Sequence, residues 1–331
     1  MRITIVSVTG LILLAAAVAF VLHNALAPVN LAAPVTVTIA KGEKTSQIAA
    51  RLESAGVLRS SYLFTWLARW QRIDRHLRPG RYQFTGPTRM IDVLRTLHDG
   101  RAVVVTVTIP EGWTVARIAS HLSAQLGFTA EEFMGLTRDT ALLRQADCPG
   151  TNLEGYLWPD TYQFYWGAEP REVLERLLVT ARAVFSDSLA ARARALGFNR
   201  HQVLTLASLI EGEAAAGDER AHIAGVFHNR LRLGMPLQCD PSVIYALGGL
   251  PPGRVLQEGD LTYDSPYNTY VYPDLPPGPI NNPGRASITA ALYPDSTKDL
   301  YFVATGDGRH VFSMTLEEHN RARARVRRST P

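Results

Sequence analysis

The stretch that decides the fold runs from Gln202 to Asp240: QVLTLASLIEGEAAAGDERAHIAGVFHNRLRLGMPLQCD. It opens as an apolar helix, with Val203, Leu206 and Ile210 at helical spacing. The next position on that stripe is Glu213. A carboxylate that continues a buried stripe is costly unless it is protonated, paired or used. A second amphipathic helix follows, with Ile223, Val226, Phe227 and Leu231 on one side and Gly234 at its end. The polar run Gln238 to Asp240 leads on. The spacing therefore predicts a central helix pair with an acid at its junction.

Outward from this pair, the flanking sequence alternates strand and helix patterns. VTVTIAKGEKTSQIAARL (35–52) and VTVTIPEGWTVARIASHL (105–122) align without a gap, seventy positions apart. Each reads as a strand, a turn at Gly42 or Gly112, then a helix with Ile48/Ile118 and Leu52/Leu122 inward, so one supersecondary unit is used twice. These units resemble the LysM-like modules of cell-wall proteins. Between the copies, 60–73 reads as a helix capped by serine, 77–84 as a turn and strand, and 90–100 as a helix ended by glycine. Single helices are expected over 130–143 and 170–196, and a short one over 241–248. The Pro- and Gly-rich stretch 265–288 reads as a fixed loop. Residues 300–312 read as a hairpin turning at Asp307-Gly308, sharing a sheet with other late strands. The whole is α+β.

The chain has 331 residues, enough for two or three domains, with 46% hydrophobic and 19% charged residues. A net charge of +4 is mild, and nucleic acid is not expected as a partner. Part of the charge comes from Arg321, Arg323, Arg325, Arg327 and Arg328, read as a solvated helix end or as a patch for an anionic surface. Residues 3–22 carry no charge, about the length needed to span a bilayer. Arg2 precedes them and the next lysine or arginine is Lys41, which predicts a cytoplasmic N-terminus and an exported body. A cleaved signal peptide, with Ala25-Leu26-Ala27 as the cutting site, is the competing reading. Cys148 and Cys239 lack neighbours at metal-ligand spacing, and whether they pair is open.

No G-x-S-x-G, P-loop, H-E-x-x-H or C-x-x-C pattern occurs, so neither a serine nucleophile, a metal nor a cofactor has support. Carboxylate chemistry remains. Glu213 fits a general acid, because burial raises a carboxyl's pKa. Its partner is open among Glu211, Glu219 and Asp240. Glu154 and Asp160, in NLEGYLWPDTYQF (152–164), read as parts of a capped turn on an aromatic cluster. Trp113 reads as a half-buried core residue or a platform for a sugar ring.

The motif from Leu206 to Gly248, together with LRPGRYQF, EGYLWPDTYQF, YNTY and LPPGPINNPG in that order, resembles the endolytic murein transglycosylase family. The resemblance covers essentially the whole chain. It implies a single-pass inner-membrane protein with its catalytic part in the periplasm: anchor 1–27, linker 28–34, LysM-like region 35–125, catalytic domain 126–331. It implies peptidoglycan glycan strands as substrate, peptidoglycan synthases as neighbours, and Glu213, the second glutamate of I-E-x-E, as catalytic residue. Gln238, Asp240, Tyr267, Asn268 and Tyr270 are the candidates for holding the sugars. Cys239 stands where the family more often has serine or threonine. A hydrolytic muramidase and a non-catalytic wall-binding scaffold are the alternatives.

Overall fold

The computed structural model describes residues 26–329, together with residues 16, 23 and 24. The expected anchor, 1–27, lies almost wholly outside them. Among the described residues no helix is long and apolar enough to cross a membrane.

The chain divides into two compact units. The first takes residues up to Thr106 with Gln125–Gly127 and Gln163–Ala168; the second takes Val107–Ala124, Phe128–Tyr162 and Glu169 onward. The region 35–125 drawn from the repeat runs across this division, since most of the second copy falls in the second unit.

In the first unit, β1 (Val29–Ile39) pairs antiparallel with β2 (Gly80–Thr88), in a register that sets Val35 opposite Phe84 and Val37 opposite Tyr82. The strand thus begins inside the segment expected to be a linker. Val37, Ile39, Tyr82 and Phe84 point to one face. That face is covered by Ile48 and Leu52 of α1 (Thr45–Ser54), Phe64 and Ala68 of α2 (Ser61–Trp70), and Val93, Leu94 and Leu97 of α3 (Met90–Asp99). Ser60 caps α2 by accepting the Leu63 N–H at 3.3 Å. Gly100, at φ +71°, closes α3 in the left-handed conformation that glycine adopts without a Cβ penalty.

The second copy of the repeat supplies β3 (Val104–Thr108) and α4 (Val115–Leu126), with Gly112 at φ +74° matching Gly42 at φ +81°. β3 pairs with β4 (Thr161–Tyr165). Two expected single helices are each broken. The first becomes α5 (Ala130–Leu136) and α6 (Thr140–Gln145), because Asp139 turns its carboxylate onto the Ala141 and Leu142 N–H groups and starts a new helix. The second becomes α7 (Pro170–Val184) and α8 (Asp187–Ala195), parted at Phe185, whose ring lies under the Arg200 guanidinium.

The second unit is built around α9 (Arg200–Glu213). Asn199 and Gln202 cap it reciprocally, each side-chain oxygen accepting the other's backbone N–H at 2.9 Å. Every residue from Val203 to Ile210 is buried, so the helix is enclosed all round, where the sequence suggested one apolar stripe. The expected pairing with α10 (Arg220–Arg232) is also revised: α12 (Arg285–Leu292) packs along α9 more extensively, and α10 packs on both. Small residues on α12, Ser287, Ala290 and Ala291, are buried and permit that close approach. Between them come α11 (Asp240–Ala246) and the long loop to Gly284. The hairpin β5 (Tyr301–Ala304) and β6 (His310–Ser313) pairs only with itself among the described strands, and α13 (Leu316–Ser329) follows.

Candidate active site

Glu213 is the last residue of α9; the chain leaves the helix at Ala214, whose N–H still reaches the Ile210 carbonyl at 2.9 Å. Glu213 keeps some accessible surface, yet its carboxyl is enclosed. The Cys239 thiol and the Asp240 N–H donate to it, and the Asp240 carboxylate and Arg230 lie near. Burial pushes its pKa up to about 7, helped by the Asp240 charge and opposed by those donors and by Arg230. A carboxyl so placed exchanges a proton near neutrality.

The residues opposite Glu213 are held by a buried polar knot. Arg230 is 5% exposed; its Nε donates to the Leu300 carbonyl at 2.6 Å and its Nη1 to the Leu237 and Pro236 carbonyls at 2.8 and 3.0 Å. Nη1 also reaches Gln238 Oε1 at 3.2 Å. Gln238 sits at φ +52°, a strained conformation for a residue with a Cβ. The Cys239 N–H donates to Thr269 Oγ1 at 2.9 Å, Thr269 Oγ1 shares a 2.8 Å bond with Ser242 Oγ, and Ser242 Oγ donates to the Cys239 carbonyl at 2.7 Å. Tyr270 OH donates to Asp240 Oδ1 at 2.5 Å, and its pKa is raised by burial and by that carboxylate.

Of the sugar-holding candidates, Asp240 and Tyr270 lie near Glu213, and Gln238 is linked to it through Arg230. Asn268 does not join them. It is fully buried, its Nδ2 donating to the Leu261 and Tyr263 carbonyls at 3.0 and 2.8 Å and its Oδ1 accepting the Tyr270 N–H at 2.9 Å. It shapes the loop that carries Tyr270. Tyr267 turns toward Tyr245, with ring centroids 5.0 Å apart.

A cleft of about 630 Å³ lies where α9 meets α11. Gly212 and Pro241, the neighbours of Glu213 and Asp240, both line it, with Glu154, Asn152, Tyr245 and Asn281. A Cβ at Gly212 would stand 2.7 Å from the Pro241 Cβ, so only glycine lets α9 and α11 meet there.

Glu154 departs from the turn reading. It is 7% exposed, and its Oε1 accepts the Val115 N–H at 2.9 Å and the Asn282 amide at 3.1 Å. Burial pushes its pKa up to about 8 against those donors. Asp160 accepts only the N–H of the next residue, Thr161, at 2.7 Å, where β4 starts. One edge of Trp113 meets His121 at 5.0 Å and its face is covered by the Arg117 guanidinium at 4.3 Å. Both cysteines are free thiols.

The family model described as the YceG-like family matches residues 37–325, across both units and the whole of this site. The chain belongs to the YceG-like family. An endolytic murein transglycosylase of Bacillus subtilis is 33% identical over 304 residues, covering 87% of this chain and 84% of its own length. One from Streptococcus pneumoniae is 30% identical over 317 residues, of which the match spans 57% of its length. The crystal structure of a YceG-like protein from Listeria monocytogenes superposes with a TM-score of 0.61 at 31% identity, covering 88% of this chain and 99% of that one. The resemblance read from the motifs thus holds at the level of the family.

Glu211, Asp218 and Glu219, the acids that flank Glu213, are held by other partners. Glu211 accepts from Ser287 Oγ at 2.6 Å and the Gly284 N–H at 3.1 Å, and pairs with Arg220 at 3.3 Å. Glu219 accepts the His310 N–H at 3.2 Å and meets His310 Nδ1 at 2.8 Å, while Arg309 reaches Asp218 at 3.1 Å. These contacts clamp the connector after Glu213 to the β5–β6 hairpin. Sequence reasoning missed Arg230, Cys239 and Glu154 as parts of the site. Their partners lie up to 128 positions away, and no local pattern signals them.

Proposed function

We propose that the chain is a membrane-anchored endolytic lytic transglycosylase of peptidoglycan. It cuts the β-1,4 bond between N-acetylmuramic acid and N-acetylglucosamine and leaves a 1,6-anhydro end. The observation that carries this reading is the enclosed Glu213 carboxyl, its pKa raised to about 7, next in the chain to Gly212, which lines an open cleft. The names of the relatives support the same reading.

Glu213 in its protonated form donates to the glycosidic oxygen as the C1–O bond breaks. The C6 hydroxyl of the same muramic acid then attacks C1, and Glu213, now ionised, takes the hydroxyl proton. One carboxyl serves both steps, water is not consumed, and the proton count closes. Gln238, Asp240 and Tyr270 contact the sugars flanking the bond, and Tyr270 holds the Asp240 carboxylate in place.

Digestion of purified sacculi by the wild-type protein, with product masses read out, tests the reaction. Anhydro-muramyl ends are expected, and Glu213→Gln should lose activity by at least about 10²-fold. Products heavier by one water would establish instead a hydrolytic muramidase, the alternative that the Asp240 carboxylate beside Glu213 favours. Unchanged cellular function in Glu213→Gln would mark a non-catalytic scaffold.

The uncharged run 3–22 supports retention in the inner membrane with the body in the periplasm. The strand–turn–helix order of the first unit supports its LysM-like reading. An anchored cutter of this kind would terminate nascent glycans beside their synthases. Longer strands in cells lacking the protein are the expected result, and unchanged strand lengths would refute that role.

A further inference from the structure

α2 of the first unit presents a row of aromatic rings to solvent. Tyr62, Trp66 and Trp70 recur at every fourth position and are 80%, 57% and 70% exposed. The Trp66 and Trp70 rings are parallel to within 4°, with centroids 6.2 Å apart. The helix buries Phe64 and Ala68 on its other side, so the row is not a frayed edge of the core. At about 3.6 residues per turn, Trp66 and Phe64 lie close to half a turn apart. Three large exposed rings in line are unusual on a soluble surface and mark a place that something else covers.

The position of the row within its unit says what covers it. The uncharged run of the sequence ends at Leu22. The Ala27 N–H bonds the His23 carbonyl at 2.9 Å, a helical turn, and β1 starts at Val29. Pro28 follows the end of that run by six residues of sequence. Arg59, the residue before the α2 cap, reaches the Pro28 carbonyl with its Nη2 at 3.5 Å. The start of the aromatic helix is therefore tied to Pro28, which follows the apolar run closely in sequence. Arg69, Arg72 and Arg75, all exposed, follow along and just beyond the same helix. Tyrosine and tryptophan rings settle at the boundary of acyl chains and headgroups, and arginine suits anionic headgroups.

We infer that Tyr62, Trp66 and Trp70 form a membrane-interface face that seats the first unit on the headgroup layer of the bilayer. This rests on the anchored reading above. It gives the small unit a second attachment besides the apolar run, one that fixes its orientation and not merely its distance from the bilayer.

The test uses the full chain reconstituted in vesicles of phosphatidylethanolamine and phosphatidylglycerol, with bromine placed on the acyl chains either near the headgroup or near the terminal methyl. Tryptophan fluorescence should be quenched more by the shallow bromine, and that excess should be lost in Trp66→Phe/Trp70→Phe. Both positions are exposed, so the variant keeps its core. Resistance to alkaline carbonate extraction is measured on the same vesicles. A chain that resists extraction but shows equal quenching in the wild type and the variant overturns this inference and leaves the anchor standing. A chain that carbonate removes overturns the anchor and the inference together. Shielding of these tryptophans by N-acetylglucosamine oligomers, and not by vesicles, would assign the face to glycan and also overturn the inference.

Discussion

Glu213 carries its function through what surrounds it, and the pH dependence follows from that. Burial raises its pKa to about 7, and in the proposed reaction the acid form is the one that starts it. The kcat/KM of the wild type should therefore fall as pH rises through about 7, since that profile reports the free enzyme. The Cys239 thiol is a weak donor to the ionised carboxylate. A hydroxyl donates more strongly and favours the ionised form, so Cys239→Ser should move the alkaline limb to lower pH. A kcat/KM profile of that variant, unshifted, would show that the thiol does not tune the acid. The acid itself was legible in the sequence as the polar member of an apolar stripe. Cys239 was read there only as a departure from the family pattern, because a contact between residues 213 and 239 has no local signature. The sequence offers Asn268, with its amide, as a candidate for holding the sugars. The fold uses that amide to satisfy two loop carbonyls instead.

The elements were legible where one local rule governed them. Serine at position 60, the Asn199 and Gln202 pair, and Gly100 each start or stop a helix where the sequence placed one or where a cap was available. The two overlong helices failed for a similar reason, since an Asp cap at 139 and the docked ring of Phe185 outweighed a continuous apolar period. The choice of helix partner could not be read locally, because α12 meets α9 through small buried residues that carry no periodic signal. The α9–α11 contact gives the prediction at this scale. Gly212→Ala places a methyl 2.7 Å from the ring of Pro241, which cannot rotate away. It should cost about 1–3 kcal/mol in chemical denaturation. It should also lower kcat, since Asp240 moves with Pro241. A variant of wild-type stability and rate would contradict this packing.

For the whole molecule, Glu154 and Glu213 set a shared pH trend. Both are raised from a usual carboxyl value of 4.5, to about 8 and about 7. Above 4.5 the unfolded chain releases these protons while the folded protein retains them, so the contribution of these two groups to stability should decline as pH rises from there toward about 8. Glu154→Gln keeps an acceptor for Val115 and Asn282 but has no proton to lose. Its denaturation midpoint should decline less than the wild type's between about pH 5 and about pH 8. Equal declines would mean that Glu154 is not the group responsible.

The clamp between Glu219 and His310 spans 91 positions of chain. The connector that follows Glu213 is thus fastened by β6, the last of the described strands. A chain stopped between β5 and β6 would retain every residue from Glu213 to Tyr270 and still leave that connector unfastened. On the proposed mechanism, the acid would stay unarmed during synthesis until β6 emerges, so a copy truncated before it should not cut glycan strands.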